Sequence, residues 1–152
     1  MPMHSPDEPV NLSGLLVSNG KRTMTLDELA QHQPGLDSLM TQIADRAWRL
    51  YHAAQAENWP LAAYFSRTLI KHLRRAAFLR PKYDEAIREF VETDHAAVRA
   101  AIEASDAAAF ATAWTQMEQR VNHWHEVYGK GYLVWQTPPT PPADLDLRPR
   151  PA

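Results

Sequence analysis

Between Pro81 and Gly129 the sequence contains no glycine and no proline. These residues interrupt regular structure most strongly, so a run this long without either belongs to helices. Most of the prolines sit at the ends, at Pro2, Pro6 and Pro9 and from Pro138 to Pro151. The expectation is a helical body with irregular tails.

Hydrophobic spacing divides that body. Thr25-Leu26-Asp27-Glu28 has capping-box spacing and opens a short helix that Gln33-Pro34-Gly35 ends. Leu36, Leu39, Met40, Ile43, Ala47, Leu50 and Ala54 form one apolar stripe, which predicts a helix over 36–57. Asn58 is the N-cap of a second helix over 59–79, with Pro60 in its first turn. A third pattern covers 83–104, with Thr93-Asp94 as a break or a new cap midway. Ser105-Asp106 caps a fourth over 106–128, and Gly129 and Gly131 are candidates to end it. Tyr132-Leu133-Val134-Trp135 reads as a short extended run, and Pro138-Pro139-Thr140-Pro141-Pro142 as polyproline-like or disordered.

Amphipathic helices joined by short connections hide their stripes together. The expected fold is therefore all-α, an antiparallel four-helix bundle. The expected organisation is an irregular N-terminal arm over 1–24, a bundle domain over 25–135 and a proline-rich tail over 136–152.

Composition excludes several functions. There is no cysteine, which rules out disulfides, thiolate metal sites, cysteine nucleophiles and thioether-linked haem. With 16 Lys+Arg against 18 Asp+Glu, the net charge of -2 gives no general attraction to nucleic acid. No apolar run is long enough for a membrane span. The first residues lack a basic segment followed by an apolar one, so a cytoplasmic location is expected. No phosphate-cradling glycine loop, G-x-S-x-G or H-E-x-x-H occurs, which points away from an enzyme.

The densest chemistry lies in Arg120–Tyr132. His123 and His125 are two apart, so on a helix they point about 200° from each other and cannot share a metal. His125 falls on the apolar stripe and His123 off it. The plain reading is one core histidine bonded to a carbonyl or water, and one surface histidine. His72 falls on an inward stripe of a different helix. If it met His125 across the core, the pair could hold a metal ion or a haem iron. Trp124 and Tyr128, with Tyr51, could line a small-molecule pocket beside His125. Lys71, Arg74, Arg75 and Arg80 make the second helix basic. Its simplest fate is pairing with the acidic third helix, or solvation.

Three segments, Leu50–Tyr64, Ala100–Phe110 and Val121–Trp135, together resemble a bacterial family of small helical-bundle proteins similar to cytochromes c′. Asn58-Trp59-Pro60-Leu61-Ala62-Ala63-Tyr64 matches the family's N-W-x-L-A-A-Y element. Val121-Asn122-His123-Trp124-His125 stands where the family carries C-N-x-C-H, its haem-attachment pattern. Both cysteines are replaced, while Asn122 and the histidine at the ligand position, His125, remain. The resemblance implies the fold, and a member without covalent haem.

The expected function is thus a cofactor-free, haem-less bundle acting as an interaction or small-ligand-binding protein. Trp124, His125 and Tyr128 would line its pocket. The alternative is a non-covalent haem- or metal-binding protein, possibly an enzyme, using His125 and His72. A homodimer is plausible by analogy with such bundles. The proline-rich tail is a further candidate for protein docking.

Overall fold

A small β-hairpin opens the structure, a computed structural model that describes residues 12 and 14–151. Strands β1 (Leu16–Ser18) and β2 (Thr23–Thr25) pair antiparallel, with Val17 opposite Met24. Asn19 makes the turn. Its Oδ1 accepts the backbone N–H of Lys21 and Arg22 at 3.0 and 2.9 Å, and Gly20 adopts φ +81°. Asn-Gly between β-formers is a strong hairpin signal. The hairpin replaces part of the irregular arm expected over 1–24; residues 1–11 and 13 of that arm lie outside the described residues.

Helix α1 (Leu26–Gln31) follows at once. Thr25 Oγ1 accepts the Glu28 N–H at 3.1 Å, and Glu28 returns the contact to the Thr25 N–H at 2.8 Å, completing the capping box. The chain divides into units Met1–Gly35 and Leu36–Ala152. Helix α1 therefore groups with the hairpin, whereas the sequence pattern joins it to the helical body.

The second unit is helical: α2 (Leu36–Gln55), α3 (Trp59–Leu79), a 3₁₀ turn at Pro81–Tyr83, α4 (Asp84–Glu92), α5 (Asp94–Glu103) and α6 (Ala107–Val127). Two matching junctions fold it. Glu57 ends α2 at φ 54°, and Ser105 ends α5 at φ 52°. At each, N–H groups reach back into the last turn: Asn58 to Ala53 and Glu57 to Ala54, then Asp106 to Ala101 and Ser105 to Ile102. These are Schellman closures, made here without glycine. The next residue caps the following helix. Asn58 accepts from the Leu61 N–H at 3.3 Å, and Asp106 from the Ala109 N–H at 2.9 Å. A left-handed residue followed directly by an N-cap makes a tight αα-corner, so α2 packs along α3 and α5 along α6. Contacts of α3 with α5 and of α2 with α6 join the two hairpins.

The third pattern is two helices. Thr93 separates α4 from α5, and its hydroxyl donates to the Glu89 carbonyl at 2.7 Å. Such back-bonding competes with the helical ladder and bends the chain. Among the described residues no helix is long and apolar enough to cross a membrane.

The tail is laid on the helices rather than free. Prolines supply carbonyls without N–H groups, and side chains of the body reach those carbonyls. His52 Nε2 contacts the Pro138 carbonyl at 2.9 Å, and Trp48 Nε1 donates to that of Thr140 at 2.8 Å. Asn58 Nδ2 donates to the Leu147 carbonyl at 3.2 Å. Arg49 holds Asp144 in a two-point ion pair, both contacts at 3.0 Å, which raises the Arg49 pKa and lowers that of Asp144. Pro142 is buried and Leu145 packs on the core.

Candidate functional site

The two ends of the helical unit pack differently. Toward the junctions, Leu50, Ala53, Ala62, Val98 and Phe110 are at most 1 % exposed. Tyr51, Phe110 and Trp114 form an aromatic cluster there, with Phe110 and Trp114 stacked at 5.5 Å. Tyr51 therefore serves this packed end.

At the other end the side chains leave a cavity of about 300 Å³. Helix α2 contributes Met40, Ile43 and Ala47 to it, and the second half of α3 contributes Leu69 and Leu73. Ala86, Ile87 and Phe90 come from α4. Helix α6 supplies Met117, Val121, Trp124 and His125, and its C-cap Tyr128 follows. Each sits on its helix's inward stripe, so the periodicity that predicts the helices also aims these groups inward. Most of the wall is aliphatic or aromatic.

Leu133 and Trp135, after α6, complete the wall. Two α6 side chains hold that run in place. Asn122 accepts the Trp135 N–H at 2.7 Å and donates to the Trp135 carbonyl at 3.0 Å. His125 Nδ1 meets the Leu133 carbonyl at 2.7 Å. A carbonyl can only accept, so Nδ1 carries a proton, and it is the tautomer with its lone pair on Nε2 that this bond selects. Gly129, at φ 71°, lets Lys130 N–H return to the His125 carbonyl at 2.7 Å and turns the chain back over the cavity.

Trp124, His125 and Tyr128 all border this cavity. His72 does not belong to its lining; it is half-buried, with Nδ1 on the Thr68 carbonyl at 2.8 Å. His123 is exposed. Among the described residues no group of three or more His, Cys, Asp and Glu side chains is placed to hold a metal ion. Val121 and Trp124 wall the cavity without filling it.

Trp124 is fixed from outside. Arg120 lies over its ring at 5.1 Å while pairing with Glu89 and, at 3.5 Å, with Asp94. The acids of the third pattern are thus directed to α6. On α3, Arg67, Lys71, Arg74 and Arg75 are exposed and form no ion pair among the described residues, so that face is solvated.

Among the described residues two buried side-chain polar atoms lack partners, Trp124 Nε1 and His95 Nδ1. His95 is fully buried, and its Nε2 lies 3.4 Å from Ser66 Oγ. Burial, reinforced by the charge of Arg99, pushes its pKa down to about 4. Neither His95 nor Ser66 borders the cavity. Tyr83 and Lys130 do, and sequence reasoning did not single out either. A tyrosine after Pro81 and a lysine between two glycines carry no signal of a shared site until the ends of α3 and α6 are brought together.

No protein-family model, curated protein or solved structure matches this chain.

Proposed function

We propose that this chain is a small-ligand-binding protein, a cofactor-free four-helix bundle of the cytochrome c′ type with its ligand in the cavity beside His125. In this reading α4 and α5 together make the third helix of the bundle. The observation that supports it is the cavity itself. At about 300 Å³ it lies at the lower end of small-molecule pockets, and its wall is apolar with a few polar groups. Such a wall forfeits dispersion contacts that a ligand restores. Binding rather than turnover fits the side chains, because the buried Ser66–His95 pair lies away from the cavity.

A neutral aromatic probe, 2-naphthalenemethanol, tests the proposal by titration calorimetry. Stoichiometric binding is expected, and Ala86→Leu, which adds three carbons at the wall, removes it while the protein stays folded. Unchanged binding in Ala86→Leu would falsify the assignment.

A second reading has its own support. The Nδ1 bond to Leu133 leaves His125 Nε2 as a free lone pair, the arrangement that suits an imidazole ligand to iron. Hemin added to the purified protein separates the two. A one-to-one Soret band lost in His125→Ala favours non-covalent haem; the ligand reading expects only weak binding that is indifferent to His125.

A further inference from the structure

The cavity has a polar end. Tyr83, on the 3₁₀ turn, packs edge-on against Tyr128, the C-cap of α6, at 4.7 Å between ring centres, and Tyr128 adjoins Trp124 at 6.2 Å. Lys82 Nζ lies 4.7 Å from the centre of the Tyr83 ring, and Lys130 Nζ lies 6.0 Å from it. Lys130 is half-buried and borders the cavity. Neither lysine is in an ion pair among the described residues. The ammonium of Lys82, and then the charge of Lys130, hold the Tyr83 phenol below the ordinary tyrosine range. Two ammonium groups thus lie beside the Tyr83 ring. The Trp124 indole N–H is buried and has no acceptor among the described residues.

The lining also holds one carboxylate. Asp37 borders the cavity but is exposed, in the first turn of α2, where a helix favours negative charge. Lys82, Asp84 and Glu85 are exposed and outside the lining. Of the two charged groups in the wall, Lys130 is the one drawn out of solvent.

Resting on the ligand reading above, we infer that the natural ligand is an apolar monocarboxylate. Its hydrocarbon or aromatic body fills the aliphatic part of the cavity. Its carboxylate lies at the polar end, near Lys130. A half-buried ammonium lowers its free energy by meeting an anionic acceptor. A dianion would leave its second charge without a countercharge in the wall, and a plain hydrocarbon would leave Lys130 without one. An alcohol gains little from Lys130.

Calorimetry with 2-naphthoate and 2-naphthalenemethanol on the full chain, at low salt, tests this. The two probes share a ring system and differ in charge. The carboxylate is expected to bind about tenfold more tightly, the size of one charge-assisted hydrogen bond. Lys130→Gln should abolish that preference. Equal affinity of the two probes for the native protein, or a preference that survives Lys130→Gln, overturns the carboxylate inference and leaves the ligand reading standing. If neither probe binds, the ligand reading fails and takes this inference with it.

Discussion

The two ends of the helical unit are built from the same helices and differ in how completely they fill space. At the junction end, Glu57-Asn58 and Ser105-Asp106 turn the chain within one residue, and small side chains let the helices approach. Ala53, Ala54, Ala62 and Ala101 are all at most 4 % exposed there. Alanines bring the backbones close, and Phe110 and Trp114 occupy the space that remains. At the far end the connections are longer. A 3₁₀ turn joins α3 to α4, and the chain after α6 folds back over Val121 and His125. Side chains there do not fill the space between the helices. The contrast shows how one set of helices can be solid at one end and hollow at the other.

Truncating large side chains gives the largest effect and tests the contrast first. Phe110→Ala should destabilise by roughly 3–5 kcal/mol, because the packed end cannot collapse into the hole. Ile43→Ala at the hollow end should cost about half as much, since fewer contacts are lost there. Urea midpoints at unchanged slope give both values. Equal losses would mean that the two ends are packed alike.

Acid comes next. His95 is held neutral in the fold with a pKa of about 4, against about 6.5 when unfolded. The unfolded chain therefore binds more protons between those values, and stability falls as pH drops from about 6.5 to about 4. The full loss is on the order of 3 kcal/mol. His95→Leu should flatten this part of the stability–pH curve, read by urea unfolding at several pH values. A slope that persists would assign the proton uptake to other groups.

Overpacking reverses the sign between the ends. Ala53→Leu should destabilise by about 1–3 kcal/mol, because its site is fully enclosed. Ala86→Leu should be neutral or mildly stabilising, since its added methyls enter the cavity. The smallest effect belongs to the junctions. Glu57→Gly and Ser105→Gly should each stabilise by roughly 0.5–1 kcal/mol, because glycine adopts the left-handed conformation without strain. Thermal unfolding resolves shifts of that size.

Much of the helical unit is legible in the sequence. The span of α3, its Asn58 cap, the Asp106 cap and the break at Thr93 follow from spacing and cap chemistry, which are local. The hairpin at Leu16–Thr25 carried a local signal too, Asn19-Gly20 between Val17 and Thr23, but the polar surroundings hid it. The seat of the tail was not legible. Polyproline chemistry says only that the segment lacks donors, while the groups that bind it, Trp48, His52 and Asn58, lie some 90 residues away in the chain. The cavity is the hardest case. The inward stripe marks His125 and Trp124 as candidates for its wall, but a void is a sum of distances among four helices, and no single residue encodes it.

The indole N–H signals of the five tryptophans offer the most direct test, because they sample both ends of the molecule at once. In proton–nitrogen correlation spectra recorded while 2-naphthalenemethanol is added, with signals assigned from single Trp→Phe variants, the Trp124 resonance should move in proportion to occupancy while Trp59 and Trp48 stay still. A stationary Trp124 signal, or movement led by Trp59 in the packed end, would contradict a ligand site beside His125.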